Sequence, residues 1–197
     1  MKIEELKQKG NVTVTEVKNG CVKVSADKGF ILKGGDTYTS EIYCDKDAEL
    51  QGYEVAAYSD YLRAENKKKY EGKTLEEAKE MLLAEIDAYD TSSAVNGFML
   101  NGLLVWLDKA TRVGLMNSTN IAKAAGQQTT TLWLKGIKLV VDCDKAIQLL
   151  SALEMYALEC FNTTASHKAA VGELKTIGEV EAYDYKTGYP KMLEMSV

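Results

Sequence analysis

The amino-acid sequence predicts an α+β fold: a small N-terminal antiparallel β module, a connecting helix, and a C-terminal domain of two β-hairpins and several helices. Three observations predict it. Residues 11–57 alternate valines and other strand-forming residues between glycine-bearing turns, the period of strands that bury one face. From Ser59 to about Asp90, Glu, Lys, Ala and Leu prevail and apolar residues recur three and four apart, the period of a helix. Beyond that, two apolar strand pairs with two-residue turns each run into a helical stretch opened by an aspartate. Strands and helices come in blocks rather than in βαβ alternation, which places the chain in the α+β class. The expected segments are 1–58, 59–92 and 93–197.

The bulk properties agree. With 46% hydrophobic and 27% charged residues among 197, the composition is that of a soluble globular chain able to bury a core. The net charge of −5 falls wholly in residues 1–90, and from residue 91 onward acids and bases balance. Neither half carries the basic footprint of a nucleic-acid binder. Cys21, Cys44, Cys143 and Cys160 stand far apart without a Cys-x-x-Cys, so reduced thiols are expected rather than a disulfide framework. No apolar run approaches the roughly 20 residues of a membrane helix, and MKIEELKQKG lacks the apolar stretch of a signal peptide. Neither a membrane nor export is expected. The Asn-x-Ser/Thr triplets at Asn11, Asn117 and Asn162 are read as chance matches.

Along the chain, Val12, Val14 and Val17 lead into Asn19-Gly20, and Val22 and Val24 follow, which predicts a hairpin. GFILK and TSEIYC, separated by Gly34-Gly35-Asp36, add two strands to one small sheet. Thr74-Leu75-Glu76-Glu77 forms a capping box in which the Thr74 hydroxyl and the Glu77 carboxylate satisfy each other's backbone N–H groups. Leu75, Ala78, Leu82, Ile86 and Tyr89 mark the buried stripe of that helix, and Lys67-Lys68-Lys69 before it reads as a solvated face. Within GFMLNGLLVW, Asn101-Gly102 suits a type I′ turn. That register sets Leu100 against Leu103, Phe98 against Val105 and Met99 against Leu104, with Trp106 on the Met99 side. Both faces are apolar, so a cover is expected on each.

Asp108 is the expected N-cap of the next helix, with Val113, Met116, Asn120 and Ala124 inward, an interruption at Ser118-Thr119 and a left-handed stop at Gly126. The second hairpin turns at Lys135-Gly136, with Leu132, Leu134, Ile137, Leu139 and Val141 on one face and Trp133, Lys138 and Val140 on the other. Asp142 caps the longest helix, where Ile147, Leu150, Leu153 or Glu154, Ala157 and Phe161 follow a helical period and Cys160 packs beside them. One or two shorter helices run from Thr163 to about Tyr183, and regular structure ends at Pro190.

The residue types able to carry chemistry are each explained by the scaffold. His167 is the single histidine and so the one candidate imidazole base, but no sequence spacing pairs it with a nucleophile, and a structural role is expected. Asp45-Lys46-Asp47-Ala48-Glu49 opens like a calcium loop, yet Leu50 stands at the glycine position and Ala56 at the bidentate-Glu position. No phosphate-binding glycine motif occurs. Catalytic, cofactor and metal residues are therefore expected to be none. Arg112, a cation in the first turn of its helix, is expected to pair with Asp108 at i,i+4, with a ligand or interface contact as its functional alternative. Trp106 and Trp133 are the candidate interface anchors, with interior packing as the alternative.

The stretch IDAYDTSSAVNGFMLNGLLVWLDKATRVGLMNSTNIAKAAGQQTTTLWL, followed by LVVDCDKAIQLLSALEMYALECFNTTASHKAAVGELKTIGEVEAYDYKTGYP, resembles the C-terminal domain of unknown function found in phage and prophage tail-fibre-associated proteins. The resemblance covers about residues 86–190 and rests on the order hairpin, cap, helix, Trp-bearing strand, capped helix. It implies a non-enzymatic structural or assembly role, with other tail proteins or a second copy as partners. It also implies the bacterial cytoplasm during expression and the virion tail as locations, and it brings no catalytic residues. Two other functions compete. One is a host-surface or glycan-binding module using Tyr183, Tyr185 and Tyr189 as stacking platforms. The other is an enzyme built around His167.

Overall fold

The computed structural model describes residues 2–50 and 52–196. The fold is α+β, as the pattern predicts, and the chain divides into two compact units: residues 1–78 with 175–184, and residues 79–174 with 185–197.

The first unit begins with α1 (Ile3–Gln8), which the sequence pattern did not signal because only Ile3 and Leu6 bury. Then come β1 (Val12–Lys18), β2 (Cys21–Ala26), β3 (Phe30–Gly34), β4 (Thr37–Thr39), β5 (Glu41–Asp45) and β6 (Tyr53–Ala57). Instead of one sheet they make two antiparallel three-stranded ones, ordered β1-β2-β5 and β4-β3-β6. The split arises because β5 returns to the open edge of β2 while β6 takes the open edge of β3. Asn19 and Gly20 carry the positive φ of the expected turn, +53° and +78°. Val17 falls at a register shift between Glu16 and Lys18 and points to solvent, so it drops out of the predicted alternation. Ile3, Leu6, Val12, Val22, Val24, Leu32 and Leu50 close the core.

The helical stretch is two helices, α2 (Tyr58–Tyr70) and α3 (Leu75–Asp90). Gly72, at φ +73°, ends the first, and the Thr74 capping box starts the second. There the Thr74 N–H donates to the Glu77 carboxylate at 2.8 Å and the Glu77 N–H to the Thr74 hydroxyl at 3.2 Å. Ala78, Leu82 and Ile86 are buried as the period requires.

The second unit continues with α4 (Ser93–Asn96), β7 (Gly97–Leu100), β8 (Leu103–Trp106), α5 (Lys109–Ala124), β9 (Thr129–Leu134), β10 (Ile137–Asp142) and α6 (Cys143–Glu173). After α7 (Ile177–Glu181), which packs on α2 in the first unit, β11 (Leu193–Met195) follows. Both hairpins take the predicted register, and Asn101, Gly102, Lys135 and Gly136 have the positive φ of type I′ turns. A strand lies beyond Pro190, where none was expected: β11 pairs parallel with β7, giving the order β11-β7-β8. The core joins Phe98, Leu100, Val105, Leu132, Leu134, Val141, Leu153 and Cys160.

Three expectations are corrected here. Neither hairpin is covered on both faces: Leu103, Leu104 and Trp106 are exposed on one, Trp133 and Val140 on the other. Next, α5 is unbroken at Ser118-Thr119, and its inward residues are Arg112, Leu115 and Thr119 rather than Val113, Asn120 and Ala124. A charged residue occupies the buried stripe, which a count of apolar residues passes over. Finally, α6 does not stop near Thr163. Its hydroxyls are absorbed, Thr163 bonding the Glu159 carbonyl and Ser166 the Asn162 carbonyl, so they do not compete for the helix. Its buried seam runs Ala146, Leu150, Leu153, Ala157, Cys160, Thr164, which leaves Phe161 outside.

Candidate functional site

A cavity of about 430 Å³ opens in the second unit where the end of α3, the end of β8, the start of α5 and the middle of α6 meet. Its polar members include Asp90, Asn96, Asp108, Lys109, Arg112 and Glu154, and Trp106, Ala157, Leu158 and Phe161 form its apolar wall. Its volume lies within the range of ligand pockets, roughly 300–1,000 Å³.

Arg112 is the most constrained of these side chains. It is 8% exposed, and a buried guanidinium persists only when its donors are met. Nε donates to the Glu154 carboxylate at 2.9 Å and Nη1 to the Leu107 carbonyl at 2.9 Å. The expected pair with Asp108 does not form, because the helix turns Arg112 inward toward α6 while Asp108 stays at the helix end. Asp108 accepts instead from the Thr111 N–H at 2.8 Å and the Thr111 hydroxyl at 2.6 Å. Those two bonds hold its carboxyl below the usual carboxylate range.

Asp90 closes the opposite side. One carboxylate oxygen accepts the Thr164 hydroxyl at 2.7 Å, and its backbone carbonyl accepts the Asn96 amide at 2.7 Å. With its proton given to Asp90, Thr164 accepts from the Tyr189 hydroxyl, 3.0 Å away. Beneath, the Val95 carbonyl accepts both the Tyr156 hydroxyl at 2.7 Å and the Cys160 thiol at 3.0 Å. Burial pushes both groups up from their ordinary pKa, so Cys160 is a protonated packing thiol, as its position in the helical period suggested.

Trp106 and Arg112, singled out separately in the sequence, thus meet at one cavity, with Arg112 as its buried support instead of a surface anchor. Trp133 lies elsewhere, 61% exposed on the outer face of β9 and β10. Tyr185 and Tyr189 each meet Tyr89 edge-on with ring centroids 5.6 Å apart, and all three tyrosines of the candidate stacking set are half-buried. Tyr183 belongs to the first unit and the other two to the second. His167 Nε2 lies 2.8 Å from the Thr187 carbonyl; a carbonyl only accepts, so Nε2 carries a proton. His167 does not line the cavity.

The sequence pattern does not single out Asp90, Glu154 and Phe161 as site residues. Glu154 did carry a signal: it shares with Leu153 a place on the apolar period of α6, which sets a carboxylate beside the buried stripe, where a cation opposite is favoured. Asp90 and Phe161 carried none, since their meeting depends on how three helices pack. Among the described residues no group of three or more His, Cys, Asp or Glu side chains could hold a metal ion, and no helix is long and apolar enough to cross a membrane.

A family model described as a domain of unknown function (DUF4376) matches residues 77–187, a span that contains every residue of the cavity. Neither a curated protein nor a solved structure matches the chain.

Proposed function

Because the chain belongs to the DUF4376 family, whose match takes in both hairpins and the cavity, we propose that it is a non-enzymatic protein of a phage or prophage tail that works by docking other tail proteins or a second copy. One observation supports docking above all. Each hairpin of the second unit leaves large apolar side chains exposed, Leu103, Leu104 and Trp106 on one and Trp133 and Val140 on the other, with Trp106 38% and Trp133 61% exposed. Exposed apolar patches of this kind mark interaction surfaces, and tryptophan is the residue most enriched among interface anchors. The tail as the setting is supported by the resemblance in residues 86–190. A glycan-stacking role has less support, because Tyr185 and Tyr189 spend ring surface on Tyr89.

The test is affinity capture of the tagged chain from prophage-induced cells, with mass spectrometry of what co-purifies, beside sedimentation of the purified protein. Tail proteins or a self-associated species are expected, reduced by Trp133→Ala and by Trp106→Ala. A monomer that captures no tail protein, or capture untouched by both substitutions, overturns the reading.

A further inference from the structure

The cavity beside Trp106 is chemically lopsided, and from this we infer that it receives a basic side chain, arginine above all, presented by a partner protein. Three carboxylates border it, those of Asp90, Asp108 and Glu154, against the cations Lys109 and Arg112. Arg112 commits Nε to Glu154 and Nη1 to the Leu107 carbonyl, so much of its charge is met within this chain. The carboxylates outnumber the cations, which disfavours an anion. The N-terminus of α5 would attract one, but Asp108 already occupies it and accepts from the Thr111 N–H.

A cation meets the opposite situation. Asp90 engages one carboxylate oxygen with Thr164 and Glu154 one with Arg112, and among the described residues no donor meets the second oxygen of either. The wall opposite is aromatic and aliphatic: Trp106, Leu158 and Phe161, the last 62% exposed. A guanidinium is planar and weakly hydrated, stacks on aromatic faces and bonds carboxylates through parallel N–H groups. Its apolar stem suits the Leu158 side. Lys109, exposed on a flexible stem, opposes a cation and is the residue whose removal tightens binding.

That the arginine comes from a protein rests on the docking reading; the preference of the cavity for a cation does not. The test is therefore made with a small probe. In a Trp133→Phe background Trp106 is the one remaining indole, and its N–H resonance is followed by NMR while N-acetyl-arginine amide is added into the millimolar range. A saturable shift is expected, weaker with the norleucine amide and missing with the glutamate amide. Asp90→Asn and Asp108→Ser, the latter keeping a capping oxygen, each weaken the arginine probe about threefold, and Lys109→Ala strengthens it. Equal binding of the norleucine probe, tighter binding of the glutamate probe, or no saturable shift overturns the inference. If the arginine probe binds while capture fails, the cation site stands and the docking reading falls.

Discussion

At the scale of single residues, the ion pair of Arg112 with Glu154 decides how the second unit tolerates change. The side chain of Arg112 is 10% exposed and that of Glu154 35%, so the two partners are not equivalent. Glu154→Ala leaves a buried cation unpaired and is expected to cost about 3 kcal/mol. Arg112→Ala leaves a carboxylate that water still reaches, and about 2 kcal/mol is expected. Replacing both, Arg112→Met with Glu154→Leu, should recover most of either loss. Urea midpoints of the three variants check the ordering, and a larger loss from Arg112→Ala would show that burial does not set it. Thr119 offers the opposite case. Its hydroxyl is buried without a hydrogen-bond partner, so Thr119→Val should gain about 1 kcal/mol, a rise of roughly 2–4 °C in Tm by scanning calorimetry.

At the scale of elements, helix starts carry a pH dependence of definite sign. Glu77, Asp108 and Glu179 each accept backbone N–H groups at a helix start, and each is held below its ordinary pKa. A folded pKa below the unfolded one means that the folded state binds its proton less readily. The stability these groups confer is present above the usual carboxylate range near about 4 and is lost as pH falls through the depressed values. Melting curves across that window should fall for the natural chain. They should fall less for a Glu77→Gln, Asp108→Ser, Glu179→Gln variant that starts lower, and parallel curves would reject this. Such caps were legible because they are local: Thr74 with Glu77, Asp108, Asp142 and both two-residue turns are written within four residues of where they act. What was illegible is long-range. The division into two sheets depends on which edge β5 and β6 choose. The inward face of α5 depends on Glu154, forty-two positions away. The continuity of α6 past Thr163 depends on hydroxyls finding carbonyls one turn back. The cavity inherits that limit: Trp106 and Arg112 could be named, but Asp90 and Phe161 join them only once α3, α5 and α6 are packed.

At the scale of the whole molecule, both compact units are built from separated stretches of chain, and the second takes its last strand from residues beyond Pro190. Leu193 and Met195 are half-buried against the core of that unit, and the Met195 carbonyl accepts the Asn101 N–H at 2.9 Å. Without β11, the β7 edge loses its partner and becomes an unpaired apolar strand, the arrangement that invites pairing with other chains. Ending the chain after Pro190 is therefore expected to lower stability by about 3 kcal/mol, from two part-buried side chains and the strand hydrogen bonds. It should also produce concentration-dependent association. Leu193→Ala with Met195→Ala separates the two contributions, because it removes the side chains and keeps the backbone pairing. That variant should lose stability without associating beyond the natural chain. Denaturation and sedimentation at several concentrations read both quantities, and a truncated chain as stable and as dispersed as the full one would mean that β11 closes nothing.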